Sequence, residues 1–122
     1  MKILAIGITI LGVFALTLPA ADITGKWTAS FTTQDGRQRE NTWNFKVDGD
    51  KLTGTVTSDV LGEAPLNDGK VNGDEVSFSV LREIGGNTVK ILYRGKVSGD
   101  EIKFKVEGGR RNLEITAKRV TS

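Results

Sequence analysis

Apolar and polar residues alternate with a period of two along most of the chain after residue 21, and no stretch of useful length has helical periodicity. Because successive side chains of a β-strand point to opposite faces, this alternation predicts a sheet with one apolar face. Clusters of Gly, Asn, Asp and Pro predict the turns, and the longest loop is predicted over residues 58–65. Eight strands are predicted, at residues 25–33, 40–47, 51–57, 66–71, 75–82, 88–97, 101–106 and 112–119.

A ten-residue unit occurs three times, closely at residues 97–106 and 71–80 and more loosely at residues 47–56. Each copy places a Gly-centred turn between two alternating runs, which is typical of a β-hairpin. The spacing of the flanking apolar residues fits both a two-residue and a four-residue loop. The Asn72-Gly73 pair favours a turn with two positive φ angles. The repeats therefore predict three similar turns at one end of the sheet.

The apolar face contains every aromatic residue found after residue 21. A meander with short connections can bury such a face by curling into a barrel, which also removes exposed strand edges. We therefore predict an all-β fold, an eight-stranded antiparallel up-and-down meander closed into a small barrel whose interior is packed or has a shallow pocket near one mouth. A two-sheet sandwich is the alternative, but it usually needs long crossing connections. The aromatic residues on this face are Trp27, Phe31, Trp43, Phe45, Phe78, Tyr93 and Phe104.

Residues 1–21 have the composition of a secretory signal peptide. Lys2 precedes an apolar run over residues 3–18, and cleavage is expected after Ala20 or Ala21. An uncleaved membrane anchor is the alternative, although the run is short for a membrane span and no charged stop follows it. The sequence thus predicts an exported protein, periplasmic or extracellular, with one domain over residues 22–122 and no membrane insertion of the mature chain.

Composition narrows the classes of function. Once Lys2 is removed with the leader, 16 of the 17 Lys and Arg remain against 15 Asp and Glu, a balance that argues against nucleic-acid partners. The chain has no His and no Cys, which excludes Ser-His and Cys-His pairs and the usual transition-metal ligands. No Asp or Glu has inward parity within a predicted strand, which argues against a paired-carboxylate hydrolase. We expect no enzyme activity, no metal and no cofactor.

Two features resemble the calycin superfamily, which includes lipocalins and avidin-type proteins. The first predicted strand opens with Gly25-Lys26-Trp27, and Arg119 has inward parity on the last. In calycins a Gly-x-Trp packs against a basic residue near the last strand at the closed end of the barrel. The resemblance therefore implies that Gly25, Trp27 and Arg119 have a structural role in closure.

Within that superfamily, residues 23–27 and 48–55 are similar to the first two hairpins of avidin-type proteins. The biotin-site residues of those proteins do not carry over, because Ala29 and Val56 stand where an Asn and a Tyr belong. Biotin is therefore not the expected ligand.

Strand direction in a meander sorts the connections into a tight, repetitive end and an irregular end. Arginine suits bidentate capture of carboxylate or phosphate, and most arginines lie in or beside the irregular loops. The alternative is that Asp35, Glu40, Glu63, Glu83 and Glu107 neutralise these arginines as surface ion pairs. The candidate arginines are Arg37, Arg39, Arg82, Arg110 and Arg111.

We expect a non-catalytic module that binds an unknown small molecule at the irregular mouth, with Trp43 and Tyr93 as apolar contacts below the arginine rim. The alternative is a protein-interaction module that presents the same loops to a partner, such as a protease inhibitor or an accessory domain of an envelope protein. An enzyme ranks third.

Overall fold

The computed structural model describes residues 21–33, 35–108 and 111–121. The predicted signal peptide lies outside these residues except for Ala21. All regular elements in the described ranges are β-strands, and no helix there is long and apolar enough to cross a membrane. The strands are β1 (Gly25–Thr32), β2 (Gln38–Asp48), β3 (Lys51–Ser58), β4 (Gly62–Pro65), β5 (Asn67–Asn72), β6 (Glu75–Ile84), β7 (Asn87–Ser98), β8 (Glu101–Gly108) and β9 (Arg111–Arg119).

The strands form one closed antiparallel barrel. Each strand from β5 to β8 pairs with the next, β1 pairs with both β2 and β9, and β2 pairs with β3. β4 and β5 are consecutive pieces that share one position beside β3, so the barrel has eight positions. The predicted eight-stranded meander is therefore confirmed. A sandwich of two separate sheets is not formed, because the ladders run in a continuous circuit.

The prediction of a long loop over residues 58–65 is wrong. The Ser58 hydroxyl accepts the backbone N–H groups of Val60 and Leu61, each at 3.2 Å, which closes a short turn. The chain then returns at once as β4 along the second half of β3. Asp68, with a φ of 54°, lies where the register between β5 and β6 shifts, so a bulge separates β4 from the well-paired part of β5.

The three repeated turns are alike, but their centres differ from the prediction at Asn72-Gly73. Asn72 pairs with Glu75, so the turn residues are Gly73 and Asp74, and of these only the glycine has a positive φ. Glycine at the first central position is the pattern of a type II′ turn, which suits the twist of a hairpin.

The repeated turns also connect neighbouring hairpins. The Asp50 carbonyl accepts the N–H of Val71 at 2.9 Å, and the Asp74 carbonyl accepts that of Val97 at 2.7 Å. The Asp100 carbonyl completes the series by accepting the N–H of Arg119 at 2.9 Å. The repeat thus gives the barrel one closed end, tied by backbone hydrogen bonds from each turn to a later strand.

Arg119 and Trp27 complete this closed end. The guanidinium carbon of Arg119 lies 4.5 Å from the centroid of the Trp27 ring, a cation–π contact. Arg119 also donates to the Asp22 and Thr24 carbonyls at 3.2 Å and to the Asp100 carboxylate at 3.1 Å. The Trp27 indole donates to the Ile23 carbonyl at 2.8 Å. The segment before β1 is therefore fixed beneath the barrel, where Trp27 and Ile23 are fully buried.

Aromatic rings fill the middle of the barrel. Trp43 lies 5.5 Å from Phe104 and 6.2 Å from Tyr93 between ring centroids, and Phe78 stacks on Tyr93 at 4.8 Å. Small inward residues make room for this cluster. Gly95 stands opposite Phe104 in the ladder, and a Cβ there would come within 2.7 Å of the Phe104 ring.

We predict that Gly54→Ala destabilises the fold severely. Gly54 has a φ of 141°, and an added Cβ would lie 1.8 Å from the Asn44 carbonyl oxygen of the paired strand. Steric overlap and backbone strain together should lower the free energy of unfolding by roughly 3 kcal/mol or more. The measurement is urea unfolding followed by tryptophan fluorescence.

Gly36→Asn is the matched control for Gly54→Ala. Gly36 also has a positive φ, 83°, but nothing lies within 4 Å of an added Cβ. Asn tolerates the left-handed region, so this change should cost less than about 1 kcal/mol. Equal losses in the two variants would contradict the close approach of β2 and β3 at Gly54.

Candidate functional site

The mouth of the barrel is the end opposite the repeated turns. It is bordered by the connections between β1 and β2, β3 and β4, β6 and β7, and β8 and β9. Inward side chains near this end come from alternate residues of each strand, as in any barrel. The sequence placed five candidate arginines here, and the structure assigns them very different surroundings.

Arg82 is a buried cation inside the mouth. It follows Val76, Phe78 and Val80 with the same inward parity on β6, and its exposure is only 7%. One guanidinium nitrogen donates to the Leu61 carbonyl at 3.2 Å and to the Gly62 carbonyl at 3.1 Å. Among the described residues, no carboxylate oxygen lies within 4.0 Å of this guanidinium. A buried charge is costly unless it is paired, so the two carbonyl hydrogen bonds compensate this cation only in part.

Arg82 lies at a place where the wall of the barrel is not hydrogen-bonded. β4 pairs with β3 alone, and the ladder between β5 and β6 ends at Asn67 and Ser79. If the register of that last pair continued, Glu63 would face Glu83, and like charges directly opposite each other are unfavourable. Pro65 in addition has no N–H to donate. We call this interruption between β4 and residues 80–84 of β6 the seam, and the two hydrogen bonds from Arg82 cross it.

Exposed apolar side chains lie beside the seam. Val60 and Leu61, in the turn before β4, are 56% and 44% exposed. Leu81 and Ile84, at the end of β6, are 51% and 46% exposed. Large apolar residues clustered at a rim are typical of a binding surface, whereas scattered ones need no explanation.

Polar groups lie in the barrel interior below Arg82. The indole nitrogen of Trp43 is buried and has no hydrogen-bond partner among the described residues. Asn41, the next inward residue of β2 toward the mouth, is 8% exposed. Burial raises the pKa of the Tyr93 phenol above its ordinary value of 10.0, and the positive charge of Arg82 opposes this shift. The interior below Arg82 thus contains buried polar groups, one of which has no hydrogen-bond partner among the described residues.

The remaining sequence-predicted arginines contribute differently. Arg37 is exposed and pairs with Asp35 at 3.6 Å, as expected if acids neutralise the rim. The Thr33 hydroxyl, with a smaller contribution from Arg39, holds the pKa of Asp35 below its ordinary value. Arg39 is half-buried beside Phe31 on the paired strand. Arg110 lies outside the described residues, and Arg111 is described only by its backbone, which pairs with Gly108.

The structure therefore gathers Arg82, Trp43 and Tyr93 in the interior, with Arg39 at the rim and Arg37 in solvent. Asn41 was missed by the sequence analysis, although its even spacing from Trp43 and Phe45 gives it inward parity. Even spacing from Phe78 and Val80 likewise gives Arg82 inward parity, whereas the sequence analysis counted this arginine with the irregular loops.

The described residues include no group of three or more His, Cys, Asp or Glu that could hold a metal ion. Comparisons with protein families, curated proteins and solved structures give no significant match. The geometry of the mouth is therefore the basis for a functional proposal.

We predict that Tyr93 ionises above pH 10.0 and that folding resists its ionisation. A folded-state pKa raised above the unfolded value adds stability at lower pH, and this stability is lost as the pH rises from 10.0 through the folded pKa. Tyr93 is the single tyrosine of the chain, so phenolate absorbance reports this residue alone.

A midpoint above that of the urea-unfolded protein is the expected result of this titration. The fall in stability above pH 10.0 should be compared with that of Tyr93→Phe, which should be shallower because this variant lacks the phenol. A midpoint equal to that of the unfolded chain would contradict the burial of the phenol.

Proposed function

We propose that this protein is an exported, non-catalytic β-barrel that binds a small molecule at its mouth. The observation that carries the proposal is Arg82, a residue that is 7% exposed and whose guanidinium has carbonyl but no carboxylate partners among the described residues. A ligand carboxylate or phosphate could accept from the guanidinium as a charge-assisted hydrogen bond.

The second anchor of the ligand would be the Trp43 indole N–H, which is fully buried, so side chains above it would have to move for the ligand to reach it. A buried donor without a partner costs free energy, and a ligand acceptor that reached it would recover that cost. The exposed side chains of Leu61 and Ile84 would contact an apolar part of the same molecule at the rim. The expected ligand class is thus a small amphipathic anion.

A calycin-type barrel and a secretory leader belong to the same proposal. The contact of Arg119 with Trp27 at the closed end supports the calycin resemblance. Residues 1–21 support export by their composition. The lack of His and Cys in the sequence supports a binding role over catalysis.

The experiment is a thermal-shift screen of small amphipathic carboxylates and phosphates, each paired with its neutral amide or alcohol analogue. A ligand that binds the folded state raises Tm, and the anion should do so more strongly than its neutral analogue. Arg82→Gln should weaken binding of the best anion by about ten- to hundredfold, the equivalent of losing one hydrogen bond to a charged group.

Arg37→Gln is the control variant, because Arg37 is an exposed arginine of the same rim. Its affinity should stay within about twofold of the wild type. If Arg82→Gln does not fold, Trp43→Phe tests the same site by removing the indole donor. A panel in which no anion raises Tm, or one in which Arg37→Gln and Arg82→Gln lose affinity equally, would contradict the proposal.

A protein-interaction module is the second candidate, and the seam favours it. Unpaired backbone at a strand edge can pair with an extended segment of another protein, and Val60 and Leu81 flank this edge. A partner strand would have to displace the bonds of Arg82 to the Leu61 and Gly62 carbonyls. Two results together would favour this candidate. No small anion would stabilise the protein, and a captured partner would protect the amides of residues 80–84 from hydrogen exchange.

A further inference from the structure

The seam has an unpaired strand edge on its β6 side. Ile84 pairs with Asn87 across a two-residue turn, so the N–H and C=O groups of Ile84 point toward β7. Because these directions alternate along a strand, the backbone groups of Leu81 and Glu83 point away from β7 and into the seam. The described ladder on that side ends at Ser79, and neither residue has a backbone hydrogen bond outside the ladders among the described residues. This edge thus offers donors and acceptors to a further strand.

Exposed apolar side chains concentrate at the same edge. Five large apolar residues of the described chain are exposed, and four of them border the seam. Val60 and Leu61 lie in the turn before β4, and Leu81 and Ile84 lie on β6. The fifth, Val120, lies at the closed end, where its N–H bonds to a carbonyl of β1. An apolar cluster beside free backbone groups is typical of a surface that receives another chain.

The segments that border the seam are acidic. Residues 58–68 and 79–84 contain four acidic residues and one basic residue, the buried Arg82. Among the described ladder partners of these segments the only cation is Lys90, opposite Leu81, and counting it leaves two more acids than bases. In the described chain none of the four acids has a cation within 4.0 Å. The acids are Asp59, Glu63, Asp68 and Glu83.

This local charge selects among possible occupants. A second copy of the chain would bring a second set of the same acids to the seam, and like charges at close range are unfavourable. A cationic segment would instead face carboxylates that the described chain leaves without an ion pair. Charge complementarity therefore favours a basic partner.

The register across the seam assigns a position to the basic side chain. Continued past the last pair of the β5–β6 ladder, it sets Glu63 opposite Glu83 and Pro65 opposite Leu81. A strand between β4 and β6 would therefore place one outward side chain between the two carboxylates. The outward side chain two residues away would lie between Pro65 and Leu81. A lysine or arginine suits the first position, and an apolar residue suits the second.

We propose that the seam binds an extended segment of another protein whose outward face alternates basic and apolar residues. The segment adds a strand to the free edge of β6, and the two hydrogen bonds that Arg82 donates across the seam break as it enters. This inference names the partner of the protein-interaction candidate and rests on that candidate, not on the binding of a small anion.

The test measures the affinity of three blocked nonapeptides for the protein by isothermal titration calorimetry. The Lys peptide has Val and Lys in alternation at its odd positions and Thr at its even positions. The Glu peptide replaces each Lys by Glu, and the methylated peptide carries a methyl group on the backbone nitrogen of each Lys. The Lys peptide should bind about tenfold more tightly than either of the others, because they lack the cations or the backbone donors that the seam requires.

Hydrogen exchange locates the bound peptide. With the Lys peptide at about ten times its Kd, the amides of Leu81 and Glu83 should exchange about tenfold more slowly than in the free protein. The amides of Val80 and Arg82 are the internal control. They point toward β7, so their exchange should change little.

The decisive variant is Glu63→Lys with Glu83→Lys, which should bind the Glu peptide more tightly than the Lys peptide. Both positions are exposed, so Tm should stay within about 4 °C of the wild type. The matched control is Glu75→Lys with Glu114→Lys, two exposed acids away from the seam. It makes the same change of net charge, and its affinity for the Lys peptide should remain within about threefold of the wild type.

Several results would overturn this inference. These are equal affinity for the Lys and Glu peptides, unchanged exchange at Leu81 and Glu83, and a preference that also reverses in the control variant. A dimer that protects the same two amides without peptide would overturn it in favour of a second copy. Binding of a small anion that depends on Arg82, with no binding of any peptide, would overturn this inference and leave the small-anion proposal intact.

Discussion

The closure of the barrel depends on Arg119. The ladder between β1 and β9 has only two residue pairs in the described chain, Trp27 with Arg119 and Thr28 with Lys118. The Arg119 side chain strengthens this short junction by covering the Trp27 ring and by bonding two carbonyls of the segment before β1. Because the same guanidinium also reaches the Asp100 carboxylate, it ties the last repeated turn to the first strand. The inward side chains of the other strands are enclosed as a core because the β1–β9 junction closes the barrel.

Most of the fold can be predicted from the sequence because it depends on local alternation. Parity assigns the apolar face correctly, and even spacing across the repeated turns keeps the hairpins in register. The β4 strand could not be predicted in this way, since it depends on a turn closed by Ser58 and on pairing with a strand already formed. The environment of Arg82 was also inaccessible, because its partners, the Leu61 and Gly62 carbonyls, lie about 20 residues earlier in the chain.

The two faces of the same strands place polar groups in different settings. Arg82 and Tyr93 have inward parity on β6 and β7, where burial makes each polar group costly and therefore selective. Arg94, the neighbour of Tyr93, has outward parity and is exposed, so solvent and salt weaken its charge. One alternating sequence thus supplies a buried setting in which a single donor matters and an exposed one in which a single charge has little effect.

Two of the strand ladders stop short of the mouth, so the barrel wall is less completely hydrogen-bonded there than at the closed end. Beyond Thr28, β1 has no described pair with β9, and β4 has none with β6. Toward the mouth, β1 to β4 and β6 to β9 therefore form two groups of strands with no ladder pair between them among the described residues. On the β4 side, the hydrogen bonds that join these two groups of strands near the mouth are the two donated by Arg82. A single side chain, and not a strand ladder, thus connects the two groups of strands on this side of the mouth.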